Sequence, residues 1–361
     1  METKRVRLDQ KNQEGALQEA ALLLLQGEVV AFPTETVYGL GANALDPVAC
    51  AKIFKIKGRP ADNPLIVHVA AVSEAREIVR HWPEEAEKCA AKFWPGPLTL
   101  VLPKKDIIPD IVSGDLDTVA IRMPSHPVAL DLIKAASRPL AAPSANISGK
   151  PSPTDGEHVW QDLKGKVPLI LDAGRTAYGL ESTVLDLTAS IPVILRPGGI
   201  SREQLTGVLG NVELEQVALG QSFDGTGTAA PKSPGMKYRH YAPEGKVVLI
   251  NEGSWEQTVH TIKTFLENKK SQKLAILCMQ ETADALKQED LSEIDLIYVL
   301  GSRQKPEEAA SRLFGGLRLC DREGIDIILV EGMPEQGIGL AYMNRVSKAA
   351  GKNIYPEFGK I

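Results

Sequence analysis

No stretch of this 361-residue chain is apolar for long enough to cross a bilayer. The longest aliphatic run, Ala20 to Leu25, falls far short of the roughly 20 apolar residues such a span needs. The N-terminal text METKRVRLDQ is polar and lacks the apolar core of a secretion signal. Cysteine is scarce: Cys50, Cys89, Cys278 and Cys320 lie far apart and form no CxxC pair. That spacing argues against a metal site or a disulfide frame and for buried, reduced thiols, so a cytoplasmic, non-membrane protein is expected. Excess positive charge is also missing. A net charge of -5 excludes a surface that draws nucleic acid everywhere, and any RNA contact must be a local patch. The chain has no GxSxG elbow, no GxxxxGK[ST] loop and no HExxH. His68 has no nucleophile beside it in sequence. An enzyme built this way lets its substrates supply the nucleophile, while the protein supplies positioning and positive charge.

What is present is ordinary globular text, 43% hydrophobic and 24% charged, and long enough to favour two domains. Strand-like and helix-like stretches alternate. In the first half, helices are expected at Ala16 to Gln26, Ser73 to Val79 and Glu84 to Phe93. Strands are expected at Glu28 to Phe32, Leu65 to Val69, Leu98 to Leu102, Val119 to Met123 and Leu169 to Asp172. Thr183 to Leu187 and Val193 to Arg196 are close enough for a hairpin. Some connections are too short for a helix, so this half reads as an α/β fold with a twisted mixed sheet. The text GQSFDGTGTAAPKSPGMKYRHYAPEG, Gly220 to Gly245, has linker composition. A second rhythm follows, with strands at Val247 to Ile250, Leu274 to Cys278, Leu296 to Leu300 and Ile327 to Val330. Helices near Trp255 to Glu267, Thr282 to Lys287, Pro306 to Arg322 and Leu340 to Ala350 alternate with them. This spacing predicts a smaller, doubly wound parallel sheet with helices on both faces. Without GxGxxG or a Walker loop, it is expected to serve a structural or gating role. The division is residues 1–219 for the catalytic domain, 220–245 for a linker or lid, and 246–361 for the Rossmann-like domain.

The chemistry concentrates between Val29 and Val69, where hydroxyls, a carboxylate, glycines and cations lie between two buried strands. In Lys57-Gly58-Arg59-Pro60, the glycine and proline limit where the cations point, and arginine offers a planar fork to phosphate or carboxylate. The plainer reading is a solvated basic helix end. In Pro33-Thr34-Glu35-Thr36, Glu35 can grip an amine while the threonine hydroxyls orient a polar substrate, or the segment is a capped turn. Arg122 interrupts an apolar strand. It shares a face with Thr118 and Ala120, and either projects into a cleft or faces an edge. Ser144-Ala145-Asn146 at a strand end, Glu181-Ser182-Thr183 and Arg196-Pro197-Gly198-Gly199 each read first, taken alone, as turn chemistry, with a ligand cradle as the sharper alternative. In the linker, Met236 to Tyr241 carries two tyrosines, two cations and a histidine, which suits a lid or a packed aromatic anchor.

Taken in order, PTETVYGLGANA, KIKGRPADNPLIVHV, Lys57-x-Arg59 with Ser144-x-Asn146, ESTVLDL and SPGMKYRHYAP resemble the YrdC/YwlC family in its two-domain form, over essentially the whole chain. The resemblance implies condensation of L-threonine, bicarbonate and ATP to threonylcarbamoyl-AMP and pyrophosphate, a nucleotidyltransferase reaction. The product would feed threonylcarbamoyl-adenosine modification of tRNA through a downstream transfer machinery. Carried over by position, Thr36, His68, Arg122 and Ser182 would hold threonine, with the backbone near Ala142. Arg59, Asn63, Thr118, Ser144, Ser152 and Arg196 would hold ATP. Lys57 and Asn146, with Arg59, would be catalytic, orienting phosphate and carbamate. Tyr238 or Tyr241 would cover the nucleotide. Mg2+ would arrive with the triphosphate, with no protein metal cage and no permanent cofactor.

Two rival readings stay open at this level. One is an RNA-binding module, contacting tRNA through Lys52, Lys55, Lys57 and Arg59. The other is a carbamoyl-transfer domain acting on a carbamoyl-adenylate.

Overall fold

A computed structural model describes residues 2–215, 241–251, 253–267, 272–289 and 293–355. The linker expected at 220–245 therefore lies mostly outside the described residues, and Tyr238 with it. Contacts divide the chain into two compact units. The first holds the chain up to Ser148 and again from Ser152. The second holds Gly149–Pro151 and the chain after the linker.

The first unit opens with β1 (Lys4–Arg7), α1 (Gln13–Leu25), β2 (Val30–Phe32), β3 (Gly39–Asn43), α2 (Pro47–Lys57) and β4 (Ile66–His68). It continues with α3 (Val72–Ile78), α4 (Glu84–Phe93), β5 (Leu98–Pro103), α5 (Asp110–Ser113), β6 (Thr118–Arg122), α6 (Pro127–Ala136) and β7 (Leu140–Ala141). It closes with α7 (Gly156–Leu163), β8 (Leu169–Asp172), β9 (Thr183–Asp186), β10 (Val193–Arg196), α8 (Arg202–Leu209) and β11 (Glu213–Leu214). Its strands form one mixed sheet in the order β1-β8-β2-β3-β7-β4-β6-β5-β9-β10-β11. The expected hairpin is there: β9 and β10 pair antiparallel, with Leu185 opposite Ile194.

Strand alternation sends successive side chains to opposite faces of this sheet. On one face Val30, Phe32, Leu169 and Leu171 pack with Leu17, Ala20 and Leu24 of α1 and with Val128, Leu132 and Ile133 of α6. On the other, Ala31, Leu40, Val67 and Ile121 pack with Cys50 and Ile53 of α2 and with Ala86, Cys89 and Ala90 of α4. A smaller apolar patch, Ile66, Val101, Ala120, Val184 and Leu195, lies on the strands from β4 to β10. That patch is where the candidate site residues gather.

The second unit is β12 (Lys246–Ile250), α9 (Trp255–Glu267), β13 (Leu274–Met279), α10 (Gln280–Leu286), β14 (Leu296–Gly301), α11 (Pro306–Glu323), β15 (Ile327–Glu331), α12 (Ile338–Ala350) and β16 (Ile354–Tyr355). Its sheet runs β14-β13-β15-β12-β16, with parallel pairs throughout. Val259 and Ile262 of α9 and Ala283 and Leu286 of α10 pack on Val248, Ile276 and Leu329. The helices α11 and α12 pack against each other and against β14 and β12. The doubly wound arrangement read from the sequence is the observed one.

Candidate active site

The site's layout follows from register. In the parallel pair β4–β6, Ile66 stands beside Ala120 and His68 beside Arg122. In the antiparallel pair β5–β6, Thr99 stands opposite Arg122. Thr99 in turn neighbours Val184 of β9, two residues past Ser182. So His68, Arg122, Thr99 and Ser182 form a row at one end of four adjacent strands. Asn63 precedes β4, and Thr118 begins β6, at the opposite end. Four residues of strand separate Thr118 from Arg122, about 13 Å at a strand's usual rise.

Arg122 is the centre of the first pole. Its strand lies between β4 and β5, so it does not face an edge. The side chain is buried, and Nη1 donates to Thr36 Oγ1 at 2.9 Å. Thr36 Oγ1 is also 2.9 Å from Thr34 Oγ1, whose hydroxyl donates to the Val37 carbonyl. With the Thr34 proton committed there, the Thr36 proton goes to Thr34 and the lone pairs of Thr36 face Arg122. Arg122 Nη2 is 2.7 Å from Glu35 Oε1, a pair almost wholly removed from water. Yet both Glu35 oxygens and Arg122 Nη2 are buried without an aligned hydrogen bond. Burial, the largest single influence, would raise the Glu35 carboxyl, but the Arg122 guanidinium and nearby backbone N–H groups together hold it below the usual carboxylate range. His68 lies beside this pair. Burial, reinforced by Arg122, pushes it down to about 3, so it is neutral at physiological pH. Its Nδ1 is 3.2 Å from the Ile66 carbonyl and its ring meets Phe32 edge-on.

Ser182 completes the row. Its Oγ lies 2.8 Å from Thr99 Oγ1 and accepts from Arg196 Nη2 at 3.2 Å, while Arg196 Nε donates to the Ser182 carbonyl at 3.1 Å. Gly198 makes this possible. A Cβ there would stand 2.3 Å from the backbone of Ser182 and Thr183, so only glycine lets the Pro197-Gly198 turn lie against that strand. The Ala142 amide N–H is already bound by the Ile66 carbonyl, which leaves its carbonyl as the free group of that backbone.

At the other pole the local geometry of α2 decides what the cations do. Asp46 caps the helix by accepting from the Val48 and Ala49 N–H groups, Pro47 occupies its first turn, and Gly58 ends it in the left-handed conformation. The helix therefore stops between Lys57 and Arg59 and sends them different ways. Lys57 is 2% exposed, and its ammonium donates to the Ser144 and Asn146 carbonyls, both at 2.5 Å. Lys57 thus holds the Ser144–Asn146 loop from beneath. Arg59 donates to the Asn63 carbonyl at 3.1 Å and to the Pro64 carbonyl at 2.8 Å, bracing the loop that carries Asn63. Asn63 itself is buried, and neither end of its amide has a hydrogen-bond partner. Such a group is costly unless something else binds it. Ser144 Oγ donates to Asn146 Oδ1 at 2.5 Å, and Ser152 donates to Glu181.

The basic patch proposed for RNA is not a single surface. Lys57 points inward, and Lys52 is paired with Glu28 at 2.7 Å. Tyr241 is packed in the second unit, stacked on Phe314 with the Arg345 guanidinium over its ring. Thr99 was not among the expected site residues, and Glu181 entered only within the segment Glu181-Ser182-Thr183, with no role of its own. The signal for Thr99 was available, since it breaks the apolar strand LTLVL as Arg122 breaks its own.

The family described as Telomere recombination (Sua5_yciO_yrdC) matches residues 22–198. The family described as Threonylcarbamoyl-AMP synthase, C-terminal domain, matches residues 200–351. A curated threonylcarbamoyl-AMP synthase of Pyrococcus abyssi is 47% identical, over 97% of this chain and 98% of its own. The chain belongs to the threonylcarbamoyl-AMP synthase family. A curated relative in Bacillus subtilis is 46% identical over 93% of each chain. A solved structure of P. abyssi Sua5 complexed with L-threonine superposes with a TM-score of 0.86 at 46% identity, covering 98% of both chains.

Proposed function

We propose that this chain is a nucleotidyltransferase that condenses L-threonine, bicarbonate and ATP to threonylcarbamoyl-AMP and pyrophosphate. The observation that carries the reading is the buried Arg122–Glu35 pair, close enough to attract but not aligned to bond. A free amino acid is a zwitterion. A guanidinium and a carboxylate side by side, each with unused hydrogen-bonding capacity, are complementary to it. In this reading Arg122 takes the threonine carboxylate, Thr36 fixes the guanidinium by accepting from its Nη1, and Glu35 takes the ammonium before it is deprotonated. His68, being neutral, contributes a ring nitrogen without adding charge. Ser182 and the Ala142 carbonyl complete the amino-acid pole, in line with the threonine named for the P. abyssi structure.

The nucleotide belongs at the other pole. The orphaned amide of Asn63 offers both a donor and an acceptor, as a purine edge requires. Thr118 and Ser144 supply further polar groups there, while Ser152 and Arg196, bonded to Glu181 and Ser182, would reach the nucleotide from the amino-acid side. Arg59 is the cation available to the phosphates there, and Lys57 sets the Ser144–Asn146 loop. The separation of about 13 Å between the poles leaves the α-phosphorus between them. The deprotonated threonine amine adds to CO2 formed by dehydration of bicarbonate, giving up a proton to water, and a carbamate oxygen then attacks that phosphorus as pyrophosphate leaves. No enzyme nucleophile is required, and the protein's contribution is positioning and charge. Mg2+ is expected to travel with the triphosphate. The labile anhydride would pass to a tRNA threonylcarbamoyl-transfer machinery in the cytosol. Incubation with 13C-bicarbonate, ATP, magnesium and L-threonine tests the scheme by mass spectrometry. The adenylate should carry the label, and unlabelled product would contradict it.

A further inference from the structure

A cavity of about 340 Å3 opens within the second unit, and none of the residues assigned to the reaction is among those that line it. It lies at the carboxyl ends of the parallel strands. Met279 ends β13, Ser302 and Arg303 follow β14, and Met333 follows β15. In open parallel sheets this is where ligands bind, and the size is within the range of small-molecule pockets. Met279, Met333 and Pro306 give it apolar walls, and the exposed Gln336 stands at its rim.

Among the described residues, Arg303 is the one charged residue lining it. Its Nη1 donates to the Gly253 carbonyl at 2.6 Å and its Nη2 to Thr258 at 3.2 Å and to Glu331. Glu331 is buried and also accepts from the Met279 N–H and the Thr282 hydroxyl. Glu281 accepts from the Ser302 hydroxyl and the Arg303 backbone N–H. The guanidinium charge is thus more than offset by two nearby carboxylates, neither of which lines the cavity itself. An anion entering here would find no net positive field, and a cation would meet the guanidinium. A neutral ligand meets neither difficulty. One donor remains unused: Arg303 Nε–H is buried with no hydrogen-bond partner. A ligand acceptor would satisfy it. Methionine thioethers, on the walls, pack well against aromatic rings.

We propose that this cavity binds an uncharged planar heterocycle with an acceptor on its edge, the chemistry of a nucleobase. The ring would lie between Met279 and Met333, its acceptor on Arg303 Nε–H and its second polar edge toward Gln336. The site is independent of threonine turnover, so its test is too. Full-length protein carrying 13C-methyl methionine would be titrated with adenosine, with Met279 and Met333 assigned through Met→Leu variants. Both methyl signals should shift saturably, whereas Met123 in the first unit is not the reporter. Arg303→Lys keeps the charge opposite Glu331 but removes Nε–H, and Gln336→Trp plugs the mouth from an exposed position. Each should weaken the titration at least tenfold. Ribose and inorganic phosphate should move neither signal. No saturable shift with adenosine, adenine or guanosine overturns the proposal. So do shifts of equal affinity in both variants, or shifts driven by phosphate alone.

Discussion

Replacing Lys57 with methionine separates two roles that its sequence context leaves together. The side chain is 2% exposed, and its ammonium bonds the Ser144 and Asn146 carbonyls at 2.5 Å each, with Asn146 Oδ1 at 3.4 Å. Methionine fills much the same volume but donates nothing. Each charge-assisted bond contributes about 1.5–3 kcal/mol, and both carbonyls would lose their donor. Against that, the folded state no longer buries an ammonium, which recovers a part of that loss. The balance is a loss of about 2–4 kcal/mol. For a domain of this size that is a fall of roughly 5–15 °C in melting temperature, read by differential scanning calorimetry with no ligand present. Nucleotide affinity should fall too, because the loop bearing Ser144 and Asn146 loses its support. If Lys57→Met melts within about 1 °C of wild type yet has lost turnover, the ammonium acts on substrate and the positioning argument is wrong.

Other substitutions probe the two poles. Glu35→Gln keeps shape and removes charge, so L-threonine should bind at least tenfold more weakly while ATP binding is retained; equal losses for both ligands would refute the zwitterion reading. Gly198→Ala forces a methyl to 2.3 Å from the Ser182–Thr183 backbone, and should cost about 1–3 kcal/mol with a loss of threonine affinity, measured by urea melts and calorimetry. His68 is held at about 3, below its ordinary 6.5, so the folded protein leaves it neutral where the unfolded chain binds a proton. Its contribution to stability is therefore complete above pH 6.5 and is lost on acidification toward pH 3, by about 1.4 kcal/mol per pH unit. His68→Gln should flatten the pH dependence of the urea midpoint between about pH 4 and 6, and an unchanged slope would contradict the assigned state.

Much of the architecture was legible because burial writes a simple pattern. The stretches around β4, β6 and β13 are short apolar runs, and β13 lies inside a sheet covered on both faces. The strand β3 was not foreseen. Gly39, Gly41 and Asn43 read as loop text, yet Gly41 is bare because a Cβ would meet the Phe32 ring at 2.6 Å. Strand β1 was missed as well, since KRVR at a sheet edge carries three cations and one apolar residue. In the site, the polar breaks in apolar strands marked Arg122 correctly as an inward cation. What local text does not carry is which strands become neighbours. Thr36 and Arg122 bond across 86 residues, and Lys57 reaches Asn146 across 89. The cations from Lys52 to Arg59 looked like one patch because sequence adjacency hides the left-handed turn at Gly58 that parts them.

The most direct test of the account is pyrophosphate release from ATP in the presence of magnesium and bicarbonate, with and without L-threonine. The account predicts release that requires L-threonine and is lost in Arg122→Met, which removes the guanidinium. Release that proceeds without threonine, or none under any combination of the three substrates, would contradict it.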